Sequence, residues 1–177
     1  MVPEAPMEQR PGGLKPAGEG WFVVNARDAE WIYNDKFGAG VTFEGTPHFA
    51  HYGINIQVVW PGQPNAYYHA EQDQESFLVL AGECVLLIEG EERQLRAWDF
   101  VHCPPGTEHI LIGAGDGPCT FLGVGARNTP DAIVYPVSEL ALRHDAGVTT
   151  ETTKPDEAYA GVPETVPGPY KEGLPVS

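Results

Sequence analysis

In this chain of 177 residues, the side chains best able to do chemistry together fall within residues 67–77, which read Tyr-Tyr-His-Ala-Glu-Gln-Asp-Gln-Glu-Ser-Phe. His69 and Glu71 stand two apart, so on a strand they share a face. Glu75 lies four residues beyond Glu71. On one continuous strand it would sit about 20 Å from His69. No single ion spans that gap, since ligand bonds are only about 2–2.6 Å long. The polar run Gln72, Asp73, Gln74 lets the chain reverse, so that Glu75 opens the next antiparallel strand at the level of His69. His109, which follows Pro104, Pro105 and Gly106, supplies an imidazole from a third strand. A mixed imidazole and carboxylate set suits a divalent first-row metal with coordination positions left open. The remaining histidines read differently. His48, His51 and His144 are expected at the surface, and His102 in the core or behind the ligands.

These residues need a scaffold of short elements. Gly (21) and Pro (17) together exceed a fifth of the chain, which favours many turns over long helices. Apolar runs bounded by turn signals predict strands over 41–43, 54–60, 77–80, 84–88, 93–96, 100–103, 110–112 and 119–124. Starts spaced roughly 8–12 residues apart predict an all-β sandwich or barrel. Phe77, Val79, Leu87 and Phe100 are expected in its core, with Cys84 and Cys119 as small buried hydrophobes. Tyr67 and Tyr68 are expected to pack on a strand. The acidic run from Glu89 to Glu92 reads as a solvated turn. One short helix is predicted over 138–147, with Ser138 as N-cap. Residues 1–20 read as an N-terminal arm and 21–147 as the β domain. Residues 148–177 read as a Pro-rich tail, in which Pro155, Pro163, Pro167, Pro169 and Pro175 oppose helix and central strand.

Composition narrows the partners. Ten Lys and Arg face 25 Asp and Glu, a formal charge of −15. Such a protein repels a phosphate backbone and an anionic membrane, so neither nucleic acid nor membrane is an expected partner. No apolar run reaches the roughly 20 residues that span a bilayer. The first residues lack the basic and apolar regions of a secretory signal. Cys84, Cys103 and Cys119 are odd in number and form no CxxC, which suits reduced thiols and a cytoplasmic location.

Residues 62–113 resemble the cupin superfamily. Its first motif is matched by Pro61, Gly62, His69, Glu75 and, six residues on, Gly82. Its second is matched by Pro104, Gly106 and His109, with Trp98 and Asp99 in place of the usual Gly-Asp. Glu71 stands where many cupins carry a second His, and Gly113 where Asn is usual. The spacing is similar to that of 3-hydroxyanthranilate dioxygenase, which implies His69, Glu75 and His109 as an iron-binding facial triad. The substrate-clamping arginines of that enzyme are not matched, Asn65 and Gly113 standing nearest. Its Cys-pair metal site is missing as well. The resemblance therefore carries the metal geometry and not the substrate.

The resemblance implies a double-stranded β-helix, or jelly-roll barrel, of six to eleven antiparallel strands in two sheets. One divalent metal is expected near the mouth, Fe2+ first, with Mn2+, Ni2+ or Zn2+ as alternatives. Its expected ligands are His69, Glu75, His109 and Glu71. For Glu71 the roles of ligand, orienting partner of His69 and catalytic base all stand open. The expected function is a mononuclear non-haem dioxygenase acting on a small organic substrate. A redox-neutral isomerase or lyase, and a non-catalytic small-molecule-binding module, are the alternatives. Arg96 or Arg127 is placed to enter the cavity. A homodimer that exchanges its N-terminal arm is also expected.

Overall fold

The structure is a computed structural model that describes residues 1–129, 132–172 and 174. Its strands are β1 (Met7–Arg10), β2 (Gly13–Pro16), β3 (Trp31–Asn34), β4 (Gly38–Thr42), β5 (Tyr52–Val59), β6 (Ala70–Glu71), β7 (Glu75–Ala81), β8 (Glu83–Ile88), β9 (Glu91–Arg96), β10 (Phe100–Cys103), β11 (His109–Ala114), β12 (Cys119–Ala126), β13 (Ile133–Val134) and β14 (Val166–Gly168). Two short helices, α1 (Glu139–Arg143) and α2 (Pro155–Ala158), complete the described residues.

Seven strands form the larger sheet in the order β10-β7-β12-β5-β4-β3-β14, and β11-β8-β9 form the smaller one. Alternation along β7 and β12 turns Phe77, Val79 and Phe121 inward. They meet Leu86 and Leu111 from the smaller sheet, and Cys84, Cys103 and Cys119 lie buried among them. This is the jelly roll that the cupin resemblance implied, and it agrees with the all-β sandwich or barrel predicted from strand spacing. Its sheets face one another without closing into a continuous hydrogen-bonded barrel. The turn between β7 and β8 depends on Gly82, whose φ of 76° is left-handed. A Cβ there would come within 2.3 Å of the Pro118 carbonyl oxygen. Gly113 replaces the expected Asn for a steric reason, since a Cβ on it would meet the Trp60 oxygen at 2.2 Å.

Several expectations need correction. Phe100 is 66% exposed, because the pleat of β10 turns Val101 and Cys103 inward and Phe100 outward. His102 shares that outer face, where its Nδ1 lies 3.1 Å from Ser76 Oγ. Residues 1–20 are not featureless, since β1 and β2 pair as a hairpin. The tail also holds structure. Pro155 occupies the first turn of α2, where a missing N–H costs nothing. Pro167 sits in β14, an edge strand that tolerates it. Pro175 lies outside the described residues. The helix near 138–147 is shorter than expected, with the Ser138 side chain accepting from Ala141 N and His144 closing it. Tyr68 is buried and its hydroxyl accepts from Gly90 N. Among the described residues no helix is long and apolar enough to cross a membrane.

Candidate metal centre

His69 and His109 are locked side by side by their own main chains. His109 N donates to the His69 carbonyl at 2.8 Å, and His69 N to the His109 carbonyl at 3.3 Å. The ring centroids lie 5.0 Å apart. Each ring also donates from Nδ1 to a carbonyl two residues earlier, Tyr67 O at 2.7 Å and Thr107 O at 2.9 Å. A carbonyl only accepts, so the proton is on Nδ1, and Nε2 is the atom offered to the cavity. Glu75 opens β7 after the reversal at 72–74. Its Oε2 lies 3.1 Å from His109 Nε2 and 3.7 Å from His69 Nε2.

That reversal is pinned by Asp73, which the sequence reading treated only as a polar turn residue. Its carboxylate accepts from Asn128 N at 2.6 Å, Thr129 N at 2.8 Å and Asn128 Nδ2 at 3.3 Å. These donors hold its pKa below the usual value, the Thr129 amide foremost.

The three ligand atoms of His69, Glu75 and His109 lie within 4.8 Å of one another. Glu75 Oε2 and His109 Nε2 are buried and make no hydrogen bond within the protein. Buried polar atoms without partners are costly, so their convergence on one point fits a cation there. Two imidazole nitrogens and one carboxylate oxygen are the donors a divalent first-row metal takes. Without the ion, burial opposes the charged form of Glu75, but the His109 and His69 imidazoles beside it overcome this and lower the pKa to about 2. Burial likewise opposes protonation of His109, and the Cys103 and Glu75 side chains outweigh it, raising the pKa to about 10. Glu71 stands beside this group, its Oε1 3.9 Å from His69 Nε2, and is not one of the three converging residues. Its pKa is raised by burial and then by the charge of Glu75.

The site opens into a cavity of about 350 Å³. Asn55, Gln57, Asn65, Phe77, Tyr135 and Tyr159 are among its walls. Tyr135 and Tyr159 come from the segments after β12, and no motif or periodicity marked them. Arg127 reaches the mouth as one of the two arginines expected there, but Glu44 holds it with hydrogen bonds of 2.6 and 2.8 Å. Arg96 is exposed on β9 and absent from the wall. His48 and His51 are exposed, and His144 pairs with Glu92 at 2.9 Å.

Comparison with known proteins agrees with this architecture. Residues 55–125 match the family model described as cupin domain. No curated protein matches the chain. Among solved structures, the polyketide cyclase RemF from Streptomyces resistomycificus is 19% identical with a TM-score of 0.53, over 62% of this chain and 82% of that one. A cupin protein from Bacteroides fragilis is 23% identical with a TM-score of 0.43, over 46% of this chain and 70% of that one. A putative sugar phosphate isomerase from Acidithiobacillus ferrooxidans is 28% identical with a TM-score of 0.44, over 48% of this chain. The chain spans only 55% of that protein's length. With the paired sheets, the matched motif region and the His-Glu-His group in one place, residues 55–125 are a cupin domain.

Proposed function

We propose that the protein is a mononuclear non-haem metal-dependent oxygenase acting on a small organic substrate, with Fe2+ as the preferred ion. The observation that carries this reading is the convergence of His69, Glu75 and His109 beside an open cavity. Three protein ligands on one side leave positions for substrate and O2, the pattern that suits non-haem iron oxygenases. When bound, the ion would supply Lewis acidity and, as iron, electron transfer to O2. The chain's own residues do the rest. Tyr67 O and Thr107 O fix the imidazole tautomers, Glu75 supplies the anionic ligand, and Tyr135 packs 6.0 Å from the His69 ring and narrows solvent access.

Glu71 favours a second reading, a redox-neutral isomerase or lyase. Its carboxyl stands near the ligands, outside the converging three, with a raised affinity for a proton. That suits a group which holds and delivers a proton at Oε1.

Metal analysis of protein purified anaerobically without an affinity tag, beside the His69→Ala/His109→Ala variant, tests both. Near one equivalent of iron, lost in the variant, together with substrate-dependent O2 uptake, supports the oxygenase. Stoichiometric zinc, manganese or nickel without O2 uptake supports the second reading, and Glu71→Gln should then keep the metal and lose turnover. No metal after reconstitution would overturn both and leave a binding module.

A further inference from the structure

The inner face of the larger sheet crosses the cavity in register rows. Gly53, Gly125 and Glu75 are neighbours on β5, β12 and β7, and the next row is Asn55, Gly123 and Phe77. One row further, Phe121 and Val79 fill the core while Gln57 still lines the cavity. The two rows at the metal ligands therefore carry no side chain on the central strand. Glycine inside a strand costs backbone entropy and packs against nothing, and it often marks the close approach of a ligand.

At Gly125 neither the backbone nor the neighbours require it. Its φ is not left-handed, and an added Cβ would meet nothing nearer than Glu75 Oε1 at 3.5 Å, an ordinary contact. At Gly123 a Cβ would meet Asn55 Oδ1 at 2.9 Å and the Phe77 ring at 3.5 Å. The result is a bare strip of peptide backbone beside Glu75, bounded by Phe77 and Asn55.

The charges around the strip are already balanced. Arg127 is the only Arg or Lys on the wall among the described residues, and Glu44 and the Phe49 carbonyl engage its guanidinium. Asn55 Oδ1 accepts from Gln57 Nε2, and Asn65 Oδ1 from Leu111 N, so both amides keep Nδ2 donors unused by any described residue. These donors suit neutral oxygens, and among the described residues no Arg or Lys side chain on the wall is left without an anionic partner.

We propose that Gly123 and Gly125 are the floor of the substrate site, which ends where the Arg127 guanidinium covers Gly53. The substrate class is an uncharged planar ring with adjacent hydroxyl or carbonyl oxygens, its face on the glycine strip and its oxygens toward Asn55 and the His69, Glu75, His109 group. This rests on the metal-centre reading above, and the test separates the two. Protein loaded with one equivalent of Zn2+, which has no redox chemistry, is titrated calorimetrically with catechol, cis-cyclohexane-1,2-diol and benzoate. Gly125→Ala and Gly125→Val are titrated alongside. Catechol binds the wild type, and the puckered diol and the anion bind about tenfold more weakly or worse. Gly125→Ala keeps its zinc and its thermal stability and loses about tenfold in catechol affinity, as one intruding methyl group should cost. Gly125→Val keeps zinc and shows no binding. Zinc retained with catechol affinity unchanged in both variants overturns the floor. Benzoate or the puckered diol binding as tightly as catechol overturns the substrate class. A wild type that takes up no zinc overturns the metal centre beneath it.

Discussion

At the scale of single residues, the metal centre is a competition between an ion and a proton. His109 and Glu75 share a buried charge pair in the absence of metal, with pKa values of about 10 and about 2. The His109 value lies above its ordinary 6.5, so its contribution to stability is complete below pH 6.5 and is lost as pH rises through about 10. The Glu75 value lies below its ordinary 4.5, so its contribution is present above that pH and is lost as pH falls through about 2. The metal-free protein is therefore best served by this pair between those two ordinary values. The ion needs the neutral imidazole, so apparent metal affinity should rise about tenfold per pH unit from pH 6 to 9. Competition titration against a chelator with corrected pH dependence measures this, and a flat profile would contradict the pair. Glu75→Gln removes both the anionic ligand and the partner of His109. It should abolish stoichiometric metal binding, read by elemental analysis, and a variant that retains one equivalent would contradict the ligand set.

At the scale of elements, the 72–74 reversal places a ligand, and Asp73 holds the reversal to the loop at 128–129. Asp73→Ala should lower metal affinity about tenfold, the size expected for an outer residue that orients a ligand. It should also lower Tm, by freeing two backbone amides from their acceptor. Unchanged metal affinity beside a lowered Tm would reduce Asp73 to a loop anchor. The strands β4, β5, β7, β8 and β10 to β12 were readable because each carries an apolar run beside turn signals; β6 and β9 lack such a run. The face of each strand was less readable. Phe100 and Val101 are both apolar, and only pairing with Leu78 and Phe77 decides which one points inward. β14 was hidden because Pro167 forbids a central strand, and only an edge position resolves the conflict.

At the scale of the whole molecule, the larger sheet has two unlike outer regions. One register row runs Phe100, Leu78, Leu122, Ile56, Val41, Trp31 across it. Val24, Tyr170 and Leu174 cover the Val41 and Trp31 end. Phe100 stands 66% exposed at the other end, beside half-buried Leu78 and Leu122. The N-terminal hairpin lies on its own chain, with Leu14 N bonded to Asp28 O and Lys15 Nζ 3.6 Å from Glu30. A homodimer is expected to bury the open apolar row, since contiguous apolar patches on a sheet face mark association sites. Light scattering at micromolar concentration should give twice the chain mass, and Leu122→Glu should halve it. A wild-type monomer would refute the dimer.

Local sequence determined what depends on neighbours in the chain. Period-two alternation and turn residues placed most strands, and the His69, Glu75 and His109 positions followed from one reversal and the two motifs of the cupin resemblance. Tertiary structure decided what depends on register between distant strands. It set Glu71 beside the converging three, brought Tyr135 and Tyr159 to the wall, gave Arg127 to Glu44 and aligned Gly53 with Gly125. The physical reason is that a strand's side-chain pattern repeats every two residues. It cannot say which face is inward, or what lies opposite, until its partners are paired.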